Sequence, residues 1–168
     1  MKRKILVATF AGYLIVVAGL TIVPTRLLRL QSPHSDHVNV IPFEYSFTCL
    51  RLARRRPPDL MTFCLRNTIG NVILFLPLGI LLPLIDIRFR SLTKVIFTAA
   101  GLSLGIETIQ FLLRFIGSGR AVDIDDVLLN TLGACLGYAL FRITNRGRGQ
   151  RSEVRSQKSE VRSQVSQK

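Results

Sequence analysis

Four carboxylates lie within or beside two apolar stretches of this sequence. Glu107 sits well inside one stretch, and Asp123, Asp125 and Asp126 lie at the start of the next. A charged side chain in a membrane span costs on the order of 2.5 to 3.5 kcal/mol by insertion scales, so it is usually paired or functional. A buried glutamate beside aspartates could bind a ligand or a cation, or carry out acid–base chemistry. We therefore expect the working site of the protein in this region.

Helical spacing groups these carboxylates with further polar residues. The first stretch carries a polar stripe at intervals of four, three and four residues, made of Ser103, Glu107, Gln110 and Arg114. The second stretch repeats the same intervals with Asp126, Asn130, Gly133 and Gly137. Residues at these spacings share one face of a helix, and we expect the two faces to pack together. Gly101 and Gly105 have the spacing that lets a neighbouring backbone come close, which predicts a tight contact there as well.

The elements that must position these residues are membrane helices. Of 168 residues, 48% are hydrophobic, the mean hydropathy is +0.35, and the apolar residues come in long runs. About 20 apolar residues are enough to span a bilayer as a helix. The sequence thus predicts an all-α, polytopic membrane bundle with four transmembrane helices, at about 5–23, 67–85, 92–116 and 126–143.

Two segments lie outside these spans. The loop 24–66 contains Phe43, Phe47 and Leu50 at helical spacing, which indicates a short amphipathic helix at the lipid interface or, equally, a solvated basic loop. A disulfide between Cys49 and Cys64 is an open alternative for this loop. From residue 146 to 168 a seven-residue repeat has one apolar residue per repeat, too few for a coiled-coil seam, so we predict a disordered basic tail after a membrane domain of residues 1–145.

Charge in the short loops predicts an orientation. Lys and Arg are concentrated at the N-terminus, between spans two and three, and in the tail, so the positive-inside rule predicts that both termini face the cytoplasm. The seven arginines of loop 24–66 oppose this assignment.

Composition also narrows the range of partners. The net charge is +13, but the basic residues flank apolar runs rather than cover a folded domain, so nucleic-acid binding is not expected. His34 and His37 have only Asp36 near them, so we expect no metal site, and no cofactor is indicated.

Four segments resemble the VanZ-like family of small bacterial membrane proteins. They are V-N-V-I-P-F at 38–43, G-N-V-I-L-F-L-P-L-G-I-L-L-P at 70–83, S-L-G-I-E-T-I-Q at 103–110, and R-A-V-D-I-D-D-V-L-L-N-T-L-G-A-C-L-G-Y at 120–138. The resemblance implies a multi-pass protein of the bacterial cytoplasmic membrane, linked through the founding member of the family to resistance to the glycopeptide teicoplanin. The polar positions that match the family are Asn67, Asn71, Glu107, Gln110, Arg120, Asp123, Asp125, Asp126 and Asn130.

Several functions fit these residues. In the first, the polar residues form an outward-facing pocket that binds a lipid-linked or anionic envelope component, such as a lipid-linked cell-wall precursor, with Arg120 holding a phosphate. In the second, the protein is a membrane enzyme that uses Glu107 and the aspartates on a lipid-linked substrate, although the sequence offers no nucleophile–base pair. In the third, the polar residues only hold the helices together. A proton-coupled carrier that uses Glu107 is the fourth. Lipids are partners in every case, and the oligomeric state is left open.

Overall fold

The computed structural model describes residues 2–22, 38–39, 41–53, 58–115 and 122–166. Their secondary structure is almost entirely helical. In chain order the elements are α1 (Lys2–Ile22), β1 (Val38–Asn39), α2 (Glu44–Ala53), α3 (Pro58–Ile85), a 3-10 turn (Ile87–Phe89), α4 (Leu92–Arg114), β2 (Val122–Asp123) and α5 (Ile124–Ser166).

Four of these helices are long and apolar enough to cross a membrane. The candidate spans are Arg3–Ile22, Cys64–Ile85, Leu92–Leu113 and Ile124–Asn145. Each has 20 or 22 residues, which at 1.5 Å per residue covers a hydrocarbon core of about 30 Å. The predicted all-α bundle with four membrane helices is therefore confirmed. Helix α3 runs through Pro77 and Pro83 without a break, which neighbouring helices in a membrane bundle allow.

The four spans alternate in direction, so the bundle has two distinct ends. Asp123, just before α5, meets Glu107 of α4, and Asn130 of α5 meets Ser103 of α4, which sets these two helices antiparallel. We call the end that carries β1, β2 and α2 the strand end. The opposite end, called the tail end, carries the start of α1, the 3-10 turn and the end of the fourth span. There the Tyr138 hydroxyl donates a 2.6 Å hydrogen bond to the Arg90 carbonyl.

The closest helix contact is between α3 and α5. A Cβ added at Gly133 or Gly137 of α5 would lie 2.1 Å from the Val72 carbonyl oxygen or 2.0 Å from that of Leu76. Gly79 of α3 is equally close to the Ala134 carbonyl oxygen of α5, at 1.9 Å. Only glycine leaves room for backbones at this separation, and small residues serve the same purpose in other membrane bundles.

This contact corrects two predictions. The glycine face of α5 packs on α3 rather than on α4, while the polar residues of the same helix reach both neighbours. Gly101 and Gly105 of α4 have nothing within 4 Å of an added Cβ, so their spacing marks no contact with the described part of the chain. Small-residue spacing indicates where a backbone can approach, but the registry of the other helices decides whether one does.

The apolar core lies between α3, α4 and α5. Phe75, Leu78, Val95, Ala99 and Ala134 are fully or almost fully buried there. Helix α1 is peripheral, because 6% of its span is buried against 39% of the α5 span. The remaining apolar side chains of the spans point outward, as expected for helices solvated by lipid.

Helix α5 is longer than the sequence predicted. We expected the fourth span to end near residue 143 and a disordered tail to follow, whereas the helical backbone continues to Ser166. The tail is rich in Arg, Gln, Glu and Lys, which favour helix, and it has no proline. The side chains beyond residue 145 lie outside the described part of the structure.

Candidate functional site

Glu107 is buried near the strand end of α4. Its side chain is 4% exposed, and it lies six residues, or about 9 Å along the helix, inside the end of the span at Leu113. One carboxylate oxygen accepts a hydrogen bond from the backbone N–H of Asp123 at 3.2 Å. The glutamate thus faces the start of α5, as the matching polar faces predicted, and not the lipid.

Asp123 joins three parts of the strand end. Its backbone pairs with Asn39 in the short parallel ladder of β1 and β2, and its N–H is bound to Glu107. Its side chain accepts the N–H of Asp125 at 3.0 Å, which makes Asp123 the N-cap of α5.

Asp125 caps a different helix. Its carboxylate accepts hydrogen bonds from the Phe43 N–H, from the Ser46 N–H at 3.2 Å and from the Ser46 hydroxyl at 2.7 Å. These groups lie at the start of α2, where backbone N–H groups have no partner within the helix. Phe43 has a φ of 65°, a strained value for a bulky residue, and the hydrogen bond from its N–H to Asp125 holds it there. With 1% of its surface exposed, Asp125 acts as a structural clamp.

Two further side-chain pairs connect α5 to its neighbours. The Asn71 amide of α3 donates to the Asp126 carboxylate, and the Asn130 amide nitrogen donates to the Ser103 hydroxyl of α4 at 2.8 Å. Asn130 is 3% exposed, and its Oδ1 atom has no hydrogen-bond partner in the described part of the structure. A buried amide oxygen without a donor is costly, so this atom could receive one from a bound group.

The remaining predicted site residues lie elsewhere or are not described. Gln110 is buried, but its amide donates to the Thr21 carbonyl at 2.8 Å and so ties α4 to α1. Asn67 is half-buried, one turn before Asn71 on α3. Arg120 lies outside the described residues.

The structure brings most of the predicted polar residues to the strand end. There they make contacts with different elements and do not form one cluster. Asp123, Asp125 and Asp126 each bond a different element, and no group of three His, Cys, Asp or Glu in the described ranges could hold a metal ion. Asp123 and Asp125 therefore have structural contacts. Glu107 accepts the Asp123 N–H and the Asn130 amide donates to the Ser103 hydroxyl, so both side chains are buried where α4 meets α5.

Sequence reasoning missed Ser46 and Thr21 as partners of the site residues. Ser46 is the third residue of a helix that follows Pro42, a position where a side chain often contacts the capping group. The position of Ser46 in the sequence therefore pointed to a capping contact. Its partner, Asp125, could not be identified because it lies about 80 residues away. Thr21 contributes only its backbone carbonyl to Gln110, which side-chain patterns do not reveal.

A disulfide-bonded cysteine also lies at this end. It is Cys64, at the start of the second span, whereas Cys135, in the fourth span, is free. The sequence left open a disulfide between Cys49 and Cys64. The side chain of Cys49 lies outside the described part of the structure, so this pairing stays a prediction.

Comparison with known proteins identifies the family. Residues 10–145, most of the chain, match the sequence profile of VanZ/LLP1. The chain belongs to the VanZ/LLP1 family. Within this family it is similar to Protein VanZ of Enterococcus faecium, at 39% identity over 86 residues. The match covers 51% of this chain and 50% of that protein, so the chain matches about half the length of its VanZ relative. No solved structure matches this VanZ/LLP1 chain.

Proposed function

We propose that this multi-pass VanZ/LLP1 protein of the bacterial cytoplasmic membrane binds the headgroup of a lipid-linked or anionic envelope component at its strand end. The proposal depends on the burial of the Glu107 carboxylate. A carboxylate that is 4% exposed within a membrane span is held at a cost of a few kcal/mol. One of its oxygens accepts a hydrogen bond from the Asp123 N–H, which places the carboxylate at the interface between α4 and the start of α5.

The acceptors in the interface indicate the chemistry of the ligand. Glu107 and the Oδ1 atom of Asn130 both accept hydrogen bonds, so they suit hydroxyl, amide or ammonium donors of a headgroup. Arg120, three residues before Asp123 in the sequence, has the guanidinium that matches a phosphate. A lipid-linked cell-wall precursor carries both kinds of group.

Charge supports an orientation with the strand end outside. The tail end has exposed cations in three short segments: Arg3, Lys4, Arg88, Arg90, Lys94 and Arg142. The positive-inside rule puts such an end in the cytoplasm, with both termini inside. The disulfide-bonded Cys64 at the strand end fits an oxidising exterior. In this orientation the site would meet wall precursors where glycopeptides act, which is the basis for proposing a role in teicoplanin resistance.

The test replaces Glu107→Gln, which keeps the shape and an acceptor oxygen but removes the charge. The matched control is Asp86→Asn at the tail end, where the carboxylate caps the 3-10 turn through the Arg88 N–H. Each purified protein is placed in nanodiscs, and binding of a lipid-linked wall precursor is measured against phosphatidylglycerol. In parallel, teicoplanin susceptibility is measured in a sensitive host that expresses each variant.

We expect E107Q to reach the membrane at the normal level, to lose precursor binding and to lose any protection, while D86N keeps both. Unchanged binding and protection with E107Q would exclude a role for the charge. If E107Q does not accumulate as a folded protein, the polar residues are structural, and the binding proposal then depends on Arg120→Gln, which should weaken binding of the phosphate-bearing lipid.

A further inference from the structure

The strand end carries an exposed aromatic patch that the proposed headgroup site does not use. It consists of Ile41, Phe43 and Phe47, which are 57%, 44% and 66% exposed. The two aromatic rings meet edge to face, with centroids 6.3 Å apart. Large apolar side chains grouped on a surface usually mark a contact with a partner or a membrane.

The α3 span also exposes apolar side chains at the strand end. Helix α2 packs on α3, and the first turns of the α3 span present Leu65 and Ile69, which are 43% and 51% exposed. Because α3 crosses the membrane, these side chains face acyl chains near the strand end. The aromatic patch therefore lies at the same end of the bundle as apolar side chains that face lipid.

Polar residues lie on one side of Phe47 around the axis of α2. Glu44 and Thr48 are both exposed and lie about 60° and 100° from Phe47 in the same direction. Arg51 is exposed about 40° from Phe47, where a long cationic side chain can reach lipid phosphates while its stem stays near the apolar groups. A short helix with an aromatic edge and a charged outer face is typical of one that lies in the membrane interface.

We propose that α2 is an interfacial helix of the strand-end leaflet, with the aromatic patch at the boundary between headgroups and acyl chains. Asp125 holds it there. The three hydrogen bonds that this carboxylate accepts fix the start of α2 to the start of α5, and thus set the height of Phe43 and Phe47 relative to the spans. The partner is the lipid of the membrane that contains the bundle.

The test uses the fact that the chain has no tryptophan. Phe47→Trp introduces a single fluorophore at an exposed position, and Thr48→Trp, on the polar side, is the matched control. Each full-length variant is reconstituted into phosphatidylcholine vesicles. Quenching is compared for lipids brominated near the headgroup end of the acyl chain, for lipids brominated near its methyl end, and for acrylamide in the water.

For Phe47→Trp we expect blue-shifted emission and several-fold stronger quenching by the shallow bromolipid than by the deep one. Thr48→Trp should emit at longer wavelength and be quenched mainly by acrylamide. Adding Ser46→Ala or Asp125→Asn to Phe47→Trp should move quenching from the lipid toward acrylamide; S46A serves where D125N does not insert. Equal, water-side quenching of both tryptophans would overturn the proposal. Protection of Phe47→Trp from every quencher, lost on dilution into more lipid, would also overturn it and show that a second copy covers the patch.

Discussion

Gly133→Ala tests the contact between α3 and α5 most directly. The added Cβ would lie 2.1 Å from the Val72 carbonyl oxygen, and its next neighbours, at 2.9 and 3.0 Å, are also backbone atoms of Val72. An ordinary contact starts at 3.4 Å, so the helices must separate by roughly 1.3 Å or the chain must distort. Because the atoms that clash with the new Cβ belong to the backbone, no change of side-chain rotamer can relieve the clash.

The cost follows from this geometry. Overpacking a well-packed interior typically costs about 1 to 3 kcal/mol, and a clash against backbone belongs in the upper half of that range. We expect a loss of about 2 to 3 kcal/mol in the free energy of unfolding. Gly105→Ala is the matched control, because nothing lies within 4 Å of its Cβ and alanine favours the helix.

The assay is SDS titration of the purified protein in dodecylmaltoside micelles, followed by the near-ultraviolet circular dichroism of tyrosine. Tyr138 is buried on α5, close to the glycine contact, so its signal reports on packing there. The midpoint should fall clearly for G133A and stay within error, or rise slightly, for G105A. Equal midpoints for the two variants would refute the close approach of α5 to Val72.

Three smaller effects follow from single hydrogen bonds. Ser46→Ala should cost about 1 kcal/mol, as loss of a helix-capping contact does, with faster hydrogen exchange at the start of α2; unchanged exchange would exclude the clamp. Gln110→Leu should lower the SDS midpoint by an equivalent of about 0.6 kcal/mol, an average value for hydrogen bonds within membranes, because it frees the Thr21 carbonyl of α1; no change would indicate that α1 is held by other contacts. Tyr138→Phe removes the bond to the Arg90 carbonyl at the tail end and should reduce thermal stability by about 1 kcal/mol without altering insertion, which a melt and a membrane fraction would measure.

Hydrophobic runs and helical spacing predicted much of this fold. The four spans follow from apolar length, because a bilayer requires a nearly fixed number of residues from each helix. The stripe of Ser103, Glu107 and Gln110 is buried throughout, and Glu107 meets the start of α5, as the spacing predicted. Periodicity reports which residues share a face of one helix, and it was reliable at that level.

The pairing of faces between helices was less predictable. Gly101 and Gly133 both occur at small-residue spacing, yet only Gly133 contacts a neighbouring backbone. The role of Asp125 depends on Phe43 and Ser46, about 80 residues earlier, and no local pattern connects them. Such pairings depend on how several helices fit together at once, information that a single sequence does not state.

The position of the three aspartates has a consequence for biosynthesis. Membrane proteins are synthesised from the N-terminus, so the fourth span is made last of the four. This span contacts α2 and α3, and Asp123, just before it, contacts β1 and α4. Two of the three glycines that allow the close approach of α3 and α5, Gly133 and Gly137, also belong to this span. A ribosome that stalls before residue 123 would leave three inserted helices whose strand end lacks these contacts. Quality-control proteases should therefore recognise chains truncated at that point far more readily than chains that lack only the residues after Asn145.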